Sequence, residues 1–232
     1  MFGRIVITLF ILSFSSAFAM GKKNHDSQYV EKDLPPETSA QFIQDISTLQ
    51  QFSGKYASPM HKKYFGDLSG NNYLDFIFLD VTQIGFDPDE KFMTAINRGS
   101  EIVLTSAFLD PRMPQIMRLA LLIHEAAHSH GAPIHYGCPV PYSDELGNPA
   151  ILLFSGRPMA GLPACDDDLE GAYAFQATFL GNIAKNCDSC PDKIRQDAEL
   201  YLPDMLLRFP NLDLRNALKN DLGISAGQRP VN

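Results

Sequence analysis

Positive charge is scarce in this chain, long apolar runs are nearly absent, and cysteine occurs only four times. Nineteen Lys and Arg stand against twenty-seven Asp and Glu, a net charge of −8, with a pI near 5.1. That balance gives no electrostatic reason to expect nucleic acid or an anionic membrane as partner. The one sustained apolar run, Ile5 to Phe14, is too short to span a bilayer, and no second one follows. Preceded by Arg4 and followed by Ser15-Ser16-Ala17-Phe18-Ala19, it reads as a secretory signal peptide over residues 1–19. No cysteine lies near that cleavage point, which removes the usual anchor of a bacterial lipoprotein. Internal repeats and long low-complexity segments are missing too. The expectation is an exported protein, periplasmic or secreted, without a stable membrane anchor. A polar, flexible arm is expected over residues 20–36, then a single domain over 37–232, long enough for a sizeable core.

Export implies an oxidising compartment, so the even set Cys138, Cys165, Cys187 and Cys190 reads as two disulfides. Three pairings are possible. The short Cys-x-x-Cys loop favours Cys187–Cys190, leaving Cys138–Cys165; a four-cysteine structural zinc site is the rival, and the compartment disfavours it.

Most informative among the residues present is the stretch from Met113 to Gly131, which contains His124, Glu125 and His128 in the pattern H-E-x-x-H. Residues four apart lie on one helix face about 6 Å from each other, so two imidazoles can converge on one metal ion. Glu125, about 100° round the helix from His124, flanks that point without having to be a ligand. It is placed to take a proton from water that a metal has acidified to a pKa of about 7. The plain alternative is a surface helix with two histidines and a glutamate. Against it, Ile116, Met117 and Leu119 to Ile123 are almost unbroken apolar, so the helix is expected to be buried and its polar groups to need partners. The chemistry is that of a zinc hydrolase.

Around this helix, Thr38 to Phe52 has helical spacing, and Tyr73 to Val81 is β-rich and apolar, an expected central strand. Ile84 to Asp89 carries turn residues, and Lys91 to Asn97 is a short helix or strand. Glu101 to Ser106 reads as the strand before the motif helix, which should start between Pro111 and Pro114 and be capped at Gly131. A loop-rich stretch follows to Pro163. Asp168 is a candidate N-cap for a helix from Gly171 to Ala184. Helical pieces from Asp192 to Leu222, broken by Pro203 and Pro210, are expected to cover the core. His25 and His61 sit in polar stretches and read as solvated surface.

A strand leading into a buried H-E-x-x-H helix resembles the zincin metallopeptidases. The resemblance covers about the middle third of the chain. It implies an α+β, zincin-like domain with a small mixed sheet, a buried motif helix and a mostly helical C-terminal part. It also implies that Glu101 to Ser106, as an edge strand, pairs with the extended substrate. A catalytic zinc usually takes three protein ligands, and four candidates exist for the third. His135 follows in His-Glu-x-x-His-x-x-Gly-x-x-x-His, similar to the metzincin motif but with one extra residue, so that Ile134 stands where that family has its histidine. Met159 is, by analogy, a candidate for the methionine that metzincins place beneath the metal. Glu170, in Glu170-Gly171-Ala172-Tyr173, is similar to the glutamate helix of gluzincins, with Asp166 to Asp168 as carboxylates behind the ligands. Asp166 itself is similar to the aspartate ligand of aspzincins. His130, about 200° round the helix from His128, points elsewhere. The layout His-Glu-Ala-x-His, Gly131, His135 to Cys138, Cys165-Asp166 and Gly171-Ala172-Tyr173 is also similar to a group of exported bacterial proteins without established activity. It favours His135, in a loop tied down at Cys138.

The reading is a zinc-dependent peptidase acting on peptide or protein substrates, with zinc on His124, His128 and His135 and Glu125 as general base. Two alternatives remain: a catalytically idle, metal-binding envelope or interaction protein, and a cell-wall peptide amidase. Tyr136, Tyr142 and Tyr173 are potential oxyanion donors but more often packed aromatics.

Overall fold

In the computed structural model, which describes residues 29–90 and 93–224, the chain begins with a short strand, β1 (Val30–Lys32). Helix α1 (Pro36–Leu49) follows, with proline in its first turn and Phe42, Asp45 and Leu49 turned inward. Two short helices come next, each capped by a serine hydroxyl accepting from a free N–H of the first turn. Ser58 caps α2 (Pro59–Phe65) and Ser69 caps α3 (Gly70–Phe78). Strands β2 (Gln83–Asp87), β3 (Ala95–Asn97) and β4 (Glu101–Thr105) lead to the long motif helix α4 (Gln115–Ser129). Beyond it lie β5 (Tyr136–Gly137) and β6 (Pro163–Cys165), then α5 (Ala172–Asn186), α6 (Asp192–Leu206) and α7 (Leu212–Asp221).

The class is α+β. The main sheet has the order β1-β2-β4-β3, with β1, β2 and β4 parallel and β3 antiparallel at one edge. Helix α4 packs against α1, α3, α5, α6 and the sheet, so its apolar run is covered on most sides. Ile116, Leu119, Ala120, Leu122, Ile123, Ala126 and Ala127 are all fully buried. A buried ion pair fixes the start of α4: Arg118 donates to both carboxylate oxygens of Asp45, at 2.5 and 2.9 Å. A second, smaller apolar cluster of Cys138, Tyr142, Ala150, Met159, Ala164 and Cys165 lies under the loops around the β5–β6 ribbon. The two disulfides are Cys138–Cys165 and Cys187–Cys190. Among the described residues no helix is long and apolar enough to cross a membrane.

Several sequence expectations are corrected. Tyr73 to Val81 is not a central strand: Tyr73, Leu74, Ile77 and Phe78 are buried while Asp75 and Leu79 face out, a one-sided helical pattern launched by the Ser69 cap. Ile84 lies in strand β2, held between β1 and β4, instead of in a turn. Val30–Lys32 pairs with β2 and so is not part of a flexible arm. Pro203 sits within α6 without ending it, and only Pro210 falls between helices. His61 is fully buried, its Nδ1 3.0 Å from the Gly66 carbonyl and its Nε2 2.6 Å from the Tyr73 hydroxyl. The expected signal peptide, the remainder of the arm up to residue 28, and His25 lie outside the described residues.

Candidate metal centre

Helix α4 ends where Gly131 adopts a left-handed backbone, φ +94°. The Gly131 N–H donates to His128 O and the Ala132 N–H to Ala127 O, at 3.0 and 2.9 Å. These bonds close the last turn and send the chain back along the helix. The reversal brings His135 to the face that carries His124 and His128. Its Nε2 lies 2.9 Å from His124 Nε2 and 3.2 Å from His128 Nε2, and the three histidines form a group able to hold a metal ion.

The chemistry of these donors fits a cation. His135 Nδ1 lies 2.6 Å from Asp166 Oδ1, and His128 Nδ1 lies 3.2 Å from the Ala132 carbonyl. Both partners are acceptors, so both rings carry their proton on Nδ1 and turn an Nε2 lone pair to the centre. Burial also lowers the pKa of His124 and His128, favouring the neutral, ligating form. Lone pairs facing each other at such separations repel unless a cation lies between them. Two nitrogens bound tetrahedrally at ~2.0–2.1 Å would stand about 3.3 Å apart, close to what is seen.

Asp166 stands behind His135 instead of in the ligand position that it was one candidate for. Its Oδ1 bonds the imidazole, its Oδ2 accepts from the Tyr173 N–H at 3.0 Å, and its own N–H donates to Arg208 O at 2.8 Å. It therefore also serves the start of α5, the role expected of Asp168, which instead accepts from the N–H of Glu170. Gly171 makes this close approach possible, since a Cβ there would fall 2.2 Å from Asp166 Oδ2. Glu170, the other candidate, is on the surface, paired with Lys63. His130 bonds Asp80 and the Phe76 carbonyl, away from the trio. Met159 packs in the smaller apolar cluster with the Cys138–Cys165 disulfide.

Glu125 is buried beside His124, and that burial pushes its carboxyl up to about 7, opposed by the backbone N–H of Asn97. Asn97 belongs to β3. Its side chain donates to the Glu125 carbonyl at 2.8 Å and to Ser129 Oγ at 2.7 Å, tying that strand to α4. The edge strand next to the site is thus β3; Glu101–Thr105 is internal, flanked on both sides, and has no free edge to offer a substrate.

The ring of Tyr173 packs on His124 and His135 at centroid distances of 4.5 and 4.3 Å. Its hydroxyl accepts from Arg208 Nη1 at 3.1 Å, and Arg208 is held in turn by Asp204. Tyr136 donates to the Asp166 carbonyl, and Tyr142 bonds Leu207 O and Arg215. Sequence reasoning missed Asn97 and Arg208 around this site. Each acts across a long sequence separation, and no local pattern marks it. Comparison of the chain with protein-family models, with curated proteins and with solved structures finds no match.

Proposed function

We propose that this chain is an exported, zinc-dependent peptidase of the zincin type, with His124, His128 and His135 as metal ligands and Glu125 as general base. The observation that carries this reading is the convergence of three imidazole Nε2 atoms beside a buried glutamate. When bound, a zinc ion would polarise the scissile carbonyl and make water a better nucleophile at neutral pH. Glu125 takes the proton of the attacking water and delivers it to the leaving amine. Asp166 holds the His135 ring in the ligating tautomer. Edge strand β3, anchored to α4 through Asn97, offers the backbone edge along which an extended peptide would lie. Two disulfides and the lack, among the described residues, of a membrane-crossing helix fit an exported protein.

The test is zinc content and hydrolysis of a mixed peptide library and of cell-wall fragments, before and after chelation and zinc return. The expected result is about one zinc per chain and peptide cleavage that disappears and returns with the metal. Cleavage of cell-wall fragments alone would make the protein an amidase. A fully zinc-loaded protein inactive on both would make it a binding protein.

A further inference from the structure

Each histidine of the trio needs a partner that keeps its proton on Nδ1. His128 has the Ala132 carbonyl and His135 has Asp166. His124 Nδ1 is buried with no group in bonding geometry, and Gln176 Oε1 is in the same condition. One of these atoms is a donor in the ligating tautomer and the other is only ever an acceptor. Gln176 is 1% exposed and lies one helical turn after Tyr173, whose ring packs on the His124 imidazole. Helices α4 and α5, which carry the two residues, pack directly against each other. The Tyr173 hydroxyl does not compete for this place, because it is taken by Arg208. A buried donor and a buried acceptor left unpaired on neighbouring helices are both costly, and a bond between them would satisfy both.

Resting on the metal reading above, we propose that Gln176 is the positioning residue of His124: its carbonyl accepts the Nδ1–H, fixes the tautomer and aims Nε2 at the metal. Helix α5 would then be a wall of the site, holding one ligand through Gln176 and, through the cap of Asp166 on Tyr173, the partner of another.

The test combines imidazole proton–nitrogen NMR on the metal-free protein with zinc affinity by chelator competition, for wild type, Gln176→Leu and Gln176→Glu. In the wild type, His124 should carry a slowly exchanging proton on Nδ1. In Gln176→Leu that signal should shift and exchange faster, an Nε2–H form should appear, and the zinc dissociation constant should rise about 10–100-fold. Gln176→Glu keeps an acceptor and should restore both readouts, which a purely space-filling role would not require. A leucine variant with the wild-type proton signal and zinc affinity would overturn the proposal. If that variant does not fold, a wild-type spectrum with His124 protonated on Nε2 overturns it equally. A wild type that binds no zinc but shows the Nδ1 proton would end the metal reading while upholding the His124–Gln176 bond.

Discussion

Removing the Cys138–Cys165 disulfide should disable the proposed metal centre while leaving most of the fold in place. The bond joins Cys138, the residue after β5, to Cys165, the last residue of β6, strands of only two and three residues. His135 immediately precedes the first and Asp166 immediately follows the second, so one covalent link holds both the proposed third ligand and its carboxylate partner. Their ribbon rests on its own small apolar cluster, apart from the main core around α4. With the cysteines 27 residues apart, loop-closure entropy gives about 3.5 kcal/mol of stabilisation. Loss of an outer partner alone costs about 10–100-fold in metal affinity, and loss of a ligand with its partner should exceed the upper end of that range. The assay is zinc competition against a chromophoric chelator, with far-ultraviolet circular dichroism as the check on folding. The subjects are wild type, Cys138→Ala/Cys165→Ala and Cys187→Ala/Cys190→Ala. The first double variant should stay helical and lose zinc affinity by more than about 100-fold. The second opens only a three-residue loop at the α5–α6 turn and should bind zinc as the wild type does. Wild-type affinity in the first variant would refute the reasoning.

Two further outcomes are expected. His61, buried and neutral between Gly66 and Tyr73, has its pKa lowered by burial from 6.5 to about 4. The unfolded chain therefore binds a proton that the folded chain does not, and stability should be unaffected above pH 6.5 and fall as pH drops towards 4. The loss should reach about 3 kcal/mol; urea unfolding at pH 7.5 and pH 4.5 should show a smaller drop in His61→Gln, and equal drops would contradict the assignment. Gly171→Ala would drive a Cβ into the Asp166 carboxylate; it should destabilise by about 1–3 kcal/mol and weaken zinc binding, and wild-type values for both would mean that Asp166 is free to move.

Helix α4 was legible because its apolar run is too long for a strand, with proline before it and a left-handed glycine after it. The two disulfides were legible from their number and spacing. Tyr73 to Phe78 misled because tyrosine, phenylalanine and isoleucine favour strands, although the paired spacing of 73/74 and 77/78 and the serine before them spell a helix. Glu101–Thr105 was recognisable as a strand, but its place inside the sheet was not, since strand order depends on pairing with residues far away. The same holds for His61, whose lysine neighbours suggest a surface while its partner Tyr73 lies twelve residues on. Of the site, the two histidines and the glutamate of α4 were readable from spacing alone. The return of His135 depends on the path of a four-residue turn, and Asp166 and, through Tyr173, Arg208 reach the trio only by tertiary packing.

The most direct test of the central claim is the pair wild type and Glu125→Gln, measured together for zinc content and peptide hydrolysis. Glutamine keeps the size and the acceptor of the side chain but cannot shuttle a proton. With Glu125 as general base outside the ligand set, the variant should hold zinc and fold as the wild type does. Its rate of hydrolysis should fall by about 10²–10⁴-fold. A variant that loses its zinc, or one that keeps both zinc and full activity, would contradict the role assigned to Glu125.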